Sequence, residues 1–158
     1  MPDGKVAQLI ALLKEKGLTI TAAESCTGGR IASAITSVPG SSQVFPGGFV
    51  TYCDAVKHRV LGVPEDMLET GGAVAVPGAK AMAQGAATRM GTDLALSATG
   101  LAGPDGDGSG TPVGTVYLGL YARDEVRCEH HVFPGDRVSV QQQAAERALE
   151  MALEWLEA

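Results

Sequence analysis

The chain has 158 residues, of which 45% are hydrophobic and 19% are charged, and its formal net charge at pH 7 is −6. This length fits one domain, and the apolar share supports a packed core, which excludes a disordered chain. The acidic balance disfavours nucleic acid and anionic membranes as partners, and an aromatic content of 4% argues against a base-stacking RNA module.

Neither a membrane span nor a secretion signal is predicted from the sequence. No apolar run approaches the ~18 residues that a membrane-spanning helix needs, and the first residues lack a signal-peptide apolar stretch. The three cysteines form no Cys-x-x-Cys pair, which favours reduced thiols. We therefore expect a cytoplasmic protein with no membrane partner.

Helix and strand patterns alternate in the first 63 residues. In chain order they predict a helix, a strand, a tight turn leading into a helix, a second strand and a short helix, over residues 5–16, 18–24, 25–36, 47–53 and 54–63. Ile31 and Ile35 should form the buried face of the second helix, and Val56 and Val60 that of the third.

The second half begins with a helix and continues with strands. Pro77 suits the first turn of this helix, whose apolar face would carry Met82, Ala83, Ala86 and Met90. A buried strand over 93–100 follows, and then two alternating strands joined as a hairpin around Asp124, over 111–123 and 125–134. An amphipathic helix over 138–157 ends the chain, with a buried stripe of Ala145, Leu149, Ala152 and Leu156.

This order of elements predicts a three-layer α/β/α sandwich, formed by a single domain over residues 1–158. Its sheet should be mostly parallel with an antiparallel part. The loops after residues 24, 53 and 99 would then gather at strand ends, where open α/β sheets bind their ligands.

The first candidate motif is Ala-Glu-Ser-Cys-Thr-Gly-Gly, residues 23–29, between a strand and a helix. Backbone N–H groups near Thr27 and Gly28 could bind an anion or an oxyanion, and Ser25 could be a nucleophile. The alternative is structural, with Ser25 or Thr27 simply capping the helix. The glycine pattern matches neither a Walker loop nor a dinucleotide fingerprint.

The other motifs lie after the later strands. Tyr52 and Lys57 could point into one cleft as a proton relay and a general base, although a half-buried tyrosine and a surface lysine would look the same. Thr99, Gly100 and Gly103 belong to a glycine-rich turn that could hold a phosphate or sugar, or could be only a flexible loop.

The remaining candidates are one arginine that could bind an anion and the histidines that could bind a metal. Arg137, just before the last helix, could grip a phosphate, with Asp136 as a helix cap in the alternative reading. The histidines lack metal-ligand spacing, so we expect no metal. His130 and His131 are neighbours on a strand and should face opposite sides of the sheet.

Six segments, in order over nearly the whole chain, resemble the CinA C-terminal domain family. They are AESCTGG, VTYCDAVKHRVLGV, GAV at 72–74, TGLAGPDG, TPVGTVYLGL and FPGDR. The resemblance implies a hydrolase that converts nicotinamide mononucleotide to nicotinate mononucleotide and ammonia, in pyridine nucleotide recycling. Because the chain starts directly at its first helix, we expect the stand-alone form of the family, with no cofactor.

The resemblance also implies roles for individual residues. Ser25 would be the nucleophile, Tyr52 and Lys57 its activating pair, Thr99 a neighbour of the same centre and Arg137 a phosphate contact. Two departures stand out. Ala75 replaces a usual serine and removes an expected helix cap, and Gln141 replaces a frequent arginine and removes a possible cationic contact.

Two functions of different classes follow for the chain. The first is an amidase in which Lys57, with Tyr52 relaying, activates Ser25, while N–H groups near Thr27 and Gly28 hold the oxyanion. The second is a non-catalytic module, a sensor or a competence- or damage-associated partner domain, that binds a pyridine nucleotide in the same pocket. The abundance of small apolar residues makes a homo-oligomer the expected assembly.

Overall fold

The computed structural model describes residues 3–158, with side chains from residue 4 onward. It contains one five-stranded sheet, whose strands in chain order are β1 Ile20–Glu24, β2 Phe49–Val50, β3 Leu94–Gly100, β4 Thr115–Ala122 and β5 Glu125–Val132. Across the sheet the order is β2-β1-β3-β4-β5. β1 pairs in parallel with β2 and β3, and the pairs β3–β4 and β4–β5 are antiparallel. Within this sheet β4 therefore runs opposite to the other four strands.

Helices cover both faces of the sheet, which confirms the three-layer α/β/α sandwich. They are α1 Asp3–Lys16, α2 Arg30–Thr36, α3 Asp54–Leu61, α4 Glu65–Glu69, α5 Val76–Met90 and α6 Arg137–Glu157. The helices α1, α2 and α6 pack on one face around the larger apolar core. On the other face, α3, α4 and α5 enclose a smaller core.

Side chains of β3 point alternately into the two apolar cores on either face of the sheet. Leu94, Leu96 and Ala98 point into the larger core, and Ala95 points into the smaller one. Since both faces of β3 are covered, the strand is apolar almost throughout, as the sequence pattern predicts for a buried strand.

Most predicted elements are confirmed, and two differ in detail. β2 is shorter than the expected 47–53, because the chain leaves the sheet edge at Thr51, whose N–H donates to the carbonyl of Glu24 at 2.8 Å. The buried face of α3 carries Lys57 and Leu61, while Val56 and Val60 are only half-buried. The expected face of this helix is thus wrong by one residue, and the shift places a lysine inside the protein.

The remaining differences are small. The hairpin around Asp124 is confirmed, with Arg123 and Asp124 both at positive φ, as tight hairpin turns require. The helix α4 was not predicted. Within residues 3–158, no helix combines the length and apolar character needed to cross a bilayer.

Candidate active site

The first three sequence motifs meet at the carboxyl edge of the parallel strands, as predicted. Ser25 directly follows β1, and its N–H donates to the carbonyl of Ala98 on β3 at 2.9 Å. On the other side, the contact between Thr51 and Glu24 holds the end of β2 against the end of β1. The turn after β1 therefore lies between the segments that carry Lys57 and Thr99.

The turn over residues 25–29 presents a serine hydroxyl and two unengaged N–H groups. Ser25 is 8% exposed, and its hydroxyl has no hydrogen-bond partner among the described residues. The N–H of Gly28, at φ +59°, donates to the carbonyl of Ser25 at 3.1 Å. Within the same described part of the chain, the N–H groups of Cys26 and Thr27 meet no acceptor. Of the two N–H groups predicted to bind an oxyanion, that of Thr27 is open to a ligand and that of Gly28 is engaged inside the turn.

A buried carboxylate that the sequence analysis missed organises this turn. Glu24 is fully buried and accepts hydrogen bonds from the Thr27 hydroxyl at 2.7 Å and from the N–H groups of Gly29, Ile31 and Ala32 at 3.2, 2.9 and 2.9 Å. The N-cap position of α2 is Gly29, which has no side chain to cap the helix. The capping role considered for Ser25 or Thr27 is therefore wrong: Glu24 caps α2, and Thr27 helps to hold Glu24.

Lys57 is buried close to the turn. It is 3% exposed, and its ammonium nitrogen lies 4.0 Å from a carboxylate oxygen of Asp54. Burial lowers the pKa of Lys57, and the negative charge of Asp54 opposes this shift only in part. Asp54 is largely exposed, yet its carboxylate still reaches the lysine because the two residues are one helical turn apart.

Tyr52 lies on the outer side of the site and contacts Arg137. Its side chain is 59% exposed, and its hydroxyl accepts a hydrogen bond from the guanidinium of Arg137. The same guanidinium donates to the carbonyl of Gly103. No hydrogen bond joins Tyr52 to Lys57 in the part of the chain described here. Tyr52, Gly103 and Arg137 instead form one cluster, because Tyr52 follows the edge strand and faces the first turn of α6.

Thr99 and Gly100 contribute mainly to the framework. The Thr99 hydroxyl is buried and donates at 2.7 Å to the carbonyl of Ala73, in a short 3₁₀ helix over Gly72–Val74. A Cβ atom at position 100 would lie 2.3 Å from the carbonyl oxygen of Thr115, so only glycine fits this close approach of β3 and β4. Thr99 thus binds the 3₁₀ helix to the end of β3, and Gly100 allows the close approach of β3 and β4.

The cysteine beside Ser25 is poorly suited to act as a nucleophile. Cys26 is buried, and burial raises the pKa of its thiol to about 12. The thiolate, which is the reactive form, is therefore scarce near neutral pH. The carbonyl of Cys26 accepts a hydrogen bond at 2.9 Å from the side-chain amide of Gln141, which is 7% exposed. Gln141 lies four residues before Ala145 and so extends the buried stripe predicted for this helix by one turn.

The histidines lie away from this site. His130 stacks on Tyr117, and His131 is hydrogen-bonded to Glu129 and stacked on Phe133. The two therefore face opposite sides of β5, as predicted. Among the side chains from residue 4 onward, no group of three or more His, Cys, Asp or Glu residues is placed to hold a metal ion.

Comparison with known proteins places this site in a family. A family model described as the CinA C-terminal domain matches residues 3–156. The chain is 50% identical over 139 residues to a CinA-like protein of Geobacter sulfurreducens, covering 88% of this chain and 34% of that protein. It thus spans about a third of the length of several relatives that it matches.

Another relative is matched over nearly its whole length. This is the nicotinamide-nucleotide amidohydrolase PncC of Enterobacter agglomerans, 49% identical over 144 residues, which are 90% of this chain and 88% of the relative. Among solved structures, the competence/damage inducible protein CihA of Agrobacterium tumefaciens superimposes with a TM-score of 0.93 at 38% identity, over 99% of this chain and 95% of that one. A CinA superfamily protein of Escherichia coli has a TM-score of 0.94 at 33% identity, over 100% and 91%.

Proposed function

The chain belongs to the CinA C-terminal domain family, and we propose that it is an amidase that hydrolyses nicotinamide mononucleotide to nicotinate mononucleotide and ammonia. The similarity to a nicotinamide-nucleotide amidohydrolase over most of both chains supports the substrate. The proposed chemistry rests on the composition of the turn after β1. There the Ser25 hydroxyl makes no hydrogen bond and is followed by the open N–H groups of Cys26 and Thr27, and burial lowers the pKa of the nearby Lys57.

The proposed reaction runs through an acyl-enzyme. Neutral Lys57 accepts the proton of Ser25 as its oxygen attacks the carboxamide carbon, and the N–H groups of Cys26 and Thr27 bind the resulting oxyanion. The intermediate collapses as Lys57 returns the proton to the leaving nitrogen, and ammonia departs. Water then attacks the ester and gives a proton to Lys57. Collapse releases the acid as Lys57 returns that proton to the Ser25 oxygen, and the acid ionises to the carboxylate by losing its proton to ammonia or solvent. No step requires a metal or an organic cofactor.

Arg137 is proposed to bind the substrate phosphate. Its guanidinium is held in place by Tyr52 and Gly103 on the rim of the site, and its exposed side remains open to an anion. In this arrangement Tyr52 holds the guanidinium of Arg137 in place for the phosphate. The sequence instead predicts Tyr52 as a proton relay, and Tyr52→Phe distinguishes the two roles: loss of a relay lowers kcat, whereas loss of positioning raises KM.

Ammonia release from nicotinamide mononucleotide is the decisive assay. Wild type and Cys26→Ala should release ammonia, and Ser25→Ala should not. An inactive Cys26→Ala beside an active Ser25→Ala would reverse the assignment of the nucleophile. Nucleotide binding by calorimetry without any ammonia release would favour the non-catalytic binding module.

Two further variants test the base and the phosphate contact. Because Lys57→Arg keeps a positive charge but cannot deprotonate, it should bind the nucleotide and lose most turnover. Wild-type turnover would remove Lys57 as the base. Arg137→Ala should raise KM ~10-fold or more, as expected when a charged hydrogen bond of roughly 1.5–3 kcal/mol is lost. An equal penalty with nicotinamide riboside, which has no phosphate, would contradict the role of Arg137.

A further inference from the structure

The first two turns of α6 hold the loops of the candidate site from one side. Arg137 binds the segment of Tyr52 and the loop of Gly103, and Gln141, one turn later, binds the turn after β1 through the carbonyl of Cys26. The amide of Gln141 is almost fully buried, so this contact is shielded from competing water.

We propose that Gln141 is a positioning residue that aims the N–H of Thr27 at the reacting carbonyl group; this inference rests on the proposed amidase function. The carbonyl of Cys26 and the N–H of Thr27 belong to the same peptide unit. That unit is planar and trans, so its C=O and N–H point in opposite directions. Fixing the carbonyl on Gln141 therefore fixes the direction of the N–H.

The contact with Gln141 is the one hydrogen bond that this peptide unit makes within the described residues. The carbonyl of Cys26 accepts no backbone hydrogen bond from the described residues, and the N–H of Thr27 meets no acceptor there. The hydrogen bond from the Thr27 hydroxyl to Glu24 holds that side chain and does not involve the peptide unit before it. Without Gln141, rotation of this peptide would displace an oxyanion donor.

This placement separates two tasks within one helix. Arg137 would act on the substrate phosphate, and Gln141 would act on the catalytic turn. A defect at Gln141 should therefore appear in kcat and be the same for substrates with and without a phosphate. A defect at Arg137 should appear in KM and only for the nucleotide.

The test compares Gln141→Leu, which removes the amide, with Gln142→Leu, an exposed neighbour on the same helix. Gln141→Glu is a second variant, which keeps the shape but replaces the donor by an acceptor. With both nicotinamide mononucleotide and nicotinamide riboside, the Gln141 variants should lose about 10- to 100-fold in kcat, somewhat less than the ~10²–10³-fold loss when an oxyanion donor is removed outright. KM should change less than about twofold, and Gln142→Leu should match wild type.

A second readout does not depend on the nucleotide. Reaction of Ser25 with a fluorophosphonate also develops charge on an oxygen beside the turn, and intact-protein mass follows it, with Ser25→Ala as the blank. Labelling should be at least about tenfold slower in the Gln141 variants than in Gln142→Leu. Equal labelling rates, or a wild type whose Ser25 is not labelled, would overturn the role of Gln141. If Ser25 of the wild type is labelled but no ammonia is released, the proposed substrate is refuted. The role of Gln141 is then decided by the labelling rates of the Gln141 variants alone.

Discussion

Replacing Glu24 by glutamine tests whether a buried carboxylate holds the turn of Ser25 and caps the start of α2. One carboxylate oxygen accepts from the Thr27 hydroxyl and from the N–H groups of Gly29 and Ile31, and the other accepts from the N–H of Ala32. Glu24→Gln keeps the volume of the side chain. It removes the charge and turns one of the two acceptor oxygens into a donor.

The expected loss of stability follows from these contacts. The amide oxygen can keep the position that serves three donors, and the NH₂ group then faces the N–H of Ala32 with no acceptor between them. Loss of one hydrogen bond to a charged group costs roughly 1.5–3 kcal/mol. Removing a negative charge at a helix N-terminus adds about 0.3–1 kcal/mol. Glu24→Gln should therefore lower the free energy of unfolding by about 2–4 kcal/mol, because the site is fully buried.

Urea unfolding at pH 7, followed by circular dichroism, measures this change directly. For a chain of this length, 1 kcal/mol corresponds to about 2–4 °C in Tm, so Tm should fall by roughly 5–15 °C. Thr27→Val is the matched control, since it removes one donor to the same carboxylate but keeps the charge; it should cost roughly 1.5–3 kcal/mol, without the additional loss at the helix N-terminus. A free energy of unfolding for Glu24→Gln within ~0.5 kcal/mol of wild type, the range of neutral surface changes, would refute the capping role.

Three further predictions concern stability. Lys57→Met should raise the free energy of unfolding at pH 7, because burial disfavours the ionised lysine that the unfolded chain carries. Burial lowers the pKa of Lys57 in the folded state, so wild-type stability rises with pH from that lowered pKa towards 10.5, and the advantage of the variant should shrink between urea titrations at pH 7 and pH 10. Ala75→Ser should raise stability by about 1 kcal/mol, since Ala75 is the uncapped N-cap of α5 and a hydroxyl there could accept from the N–H of Gly78; an unchanged Tm would count against this. Arg147 lowers the pKa of Glu129 to about 2, so this carboxylate stabilises the fold above its ordinary pKa of 4.5 and loses the effect as pH falls towards 2. Because Glu129 is about a third exposed, Glu129→Gln should cost only about 1 kcal/mol at pH 7, and its unfolding curve should converge with that of wild type at pH 2–3.

The sequence alone was sufficient for all the strands, for every helix except α4, and for the edge of the sheet where the candidate site lies. Apolar periodicity predicts the helices and strands, since the side chains that reach a core recur every 3.6 residues in a helix and every second residue in a strand. The turn motif of Ser25 directly follows a strand, and the carboxyl ends of neighbouring parallel strands meet at one edge. The place of the turn that carries Ser25 was therefore predictable.

Only the tertiary structure decided which polar side chains are buried and what they contact. Lys57 is buried because the buried face of α3 lies one residue away from the face predicted from Val56 and Val60. A lysine within a helical pattern would ordinarily be predicted to face solvent. Tyr52 meets Arg137 across 85 positions of the chain, and Gln141 meets Cys26 across 115. Such pairs join segments that are brought together only by packing the helices on the sheet. A polar residue carries no mark in its local sequence of whether a partner or water will satisfy it.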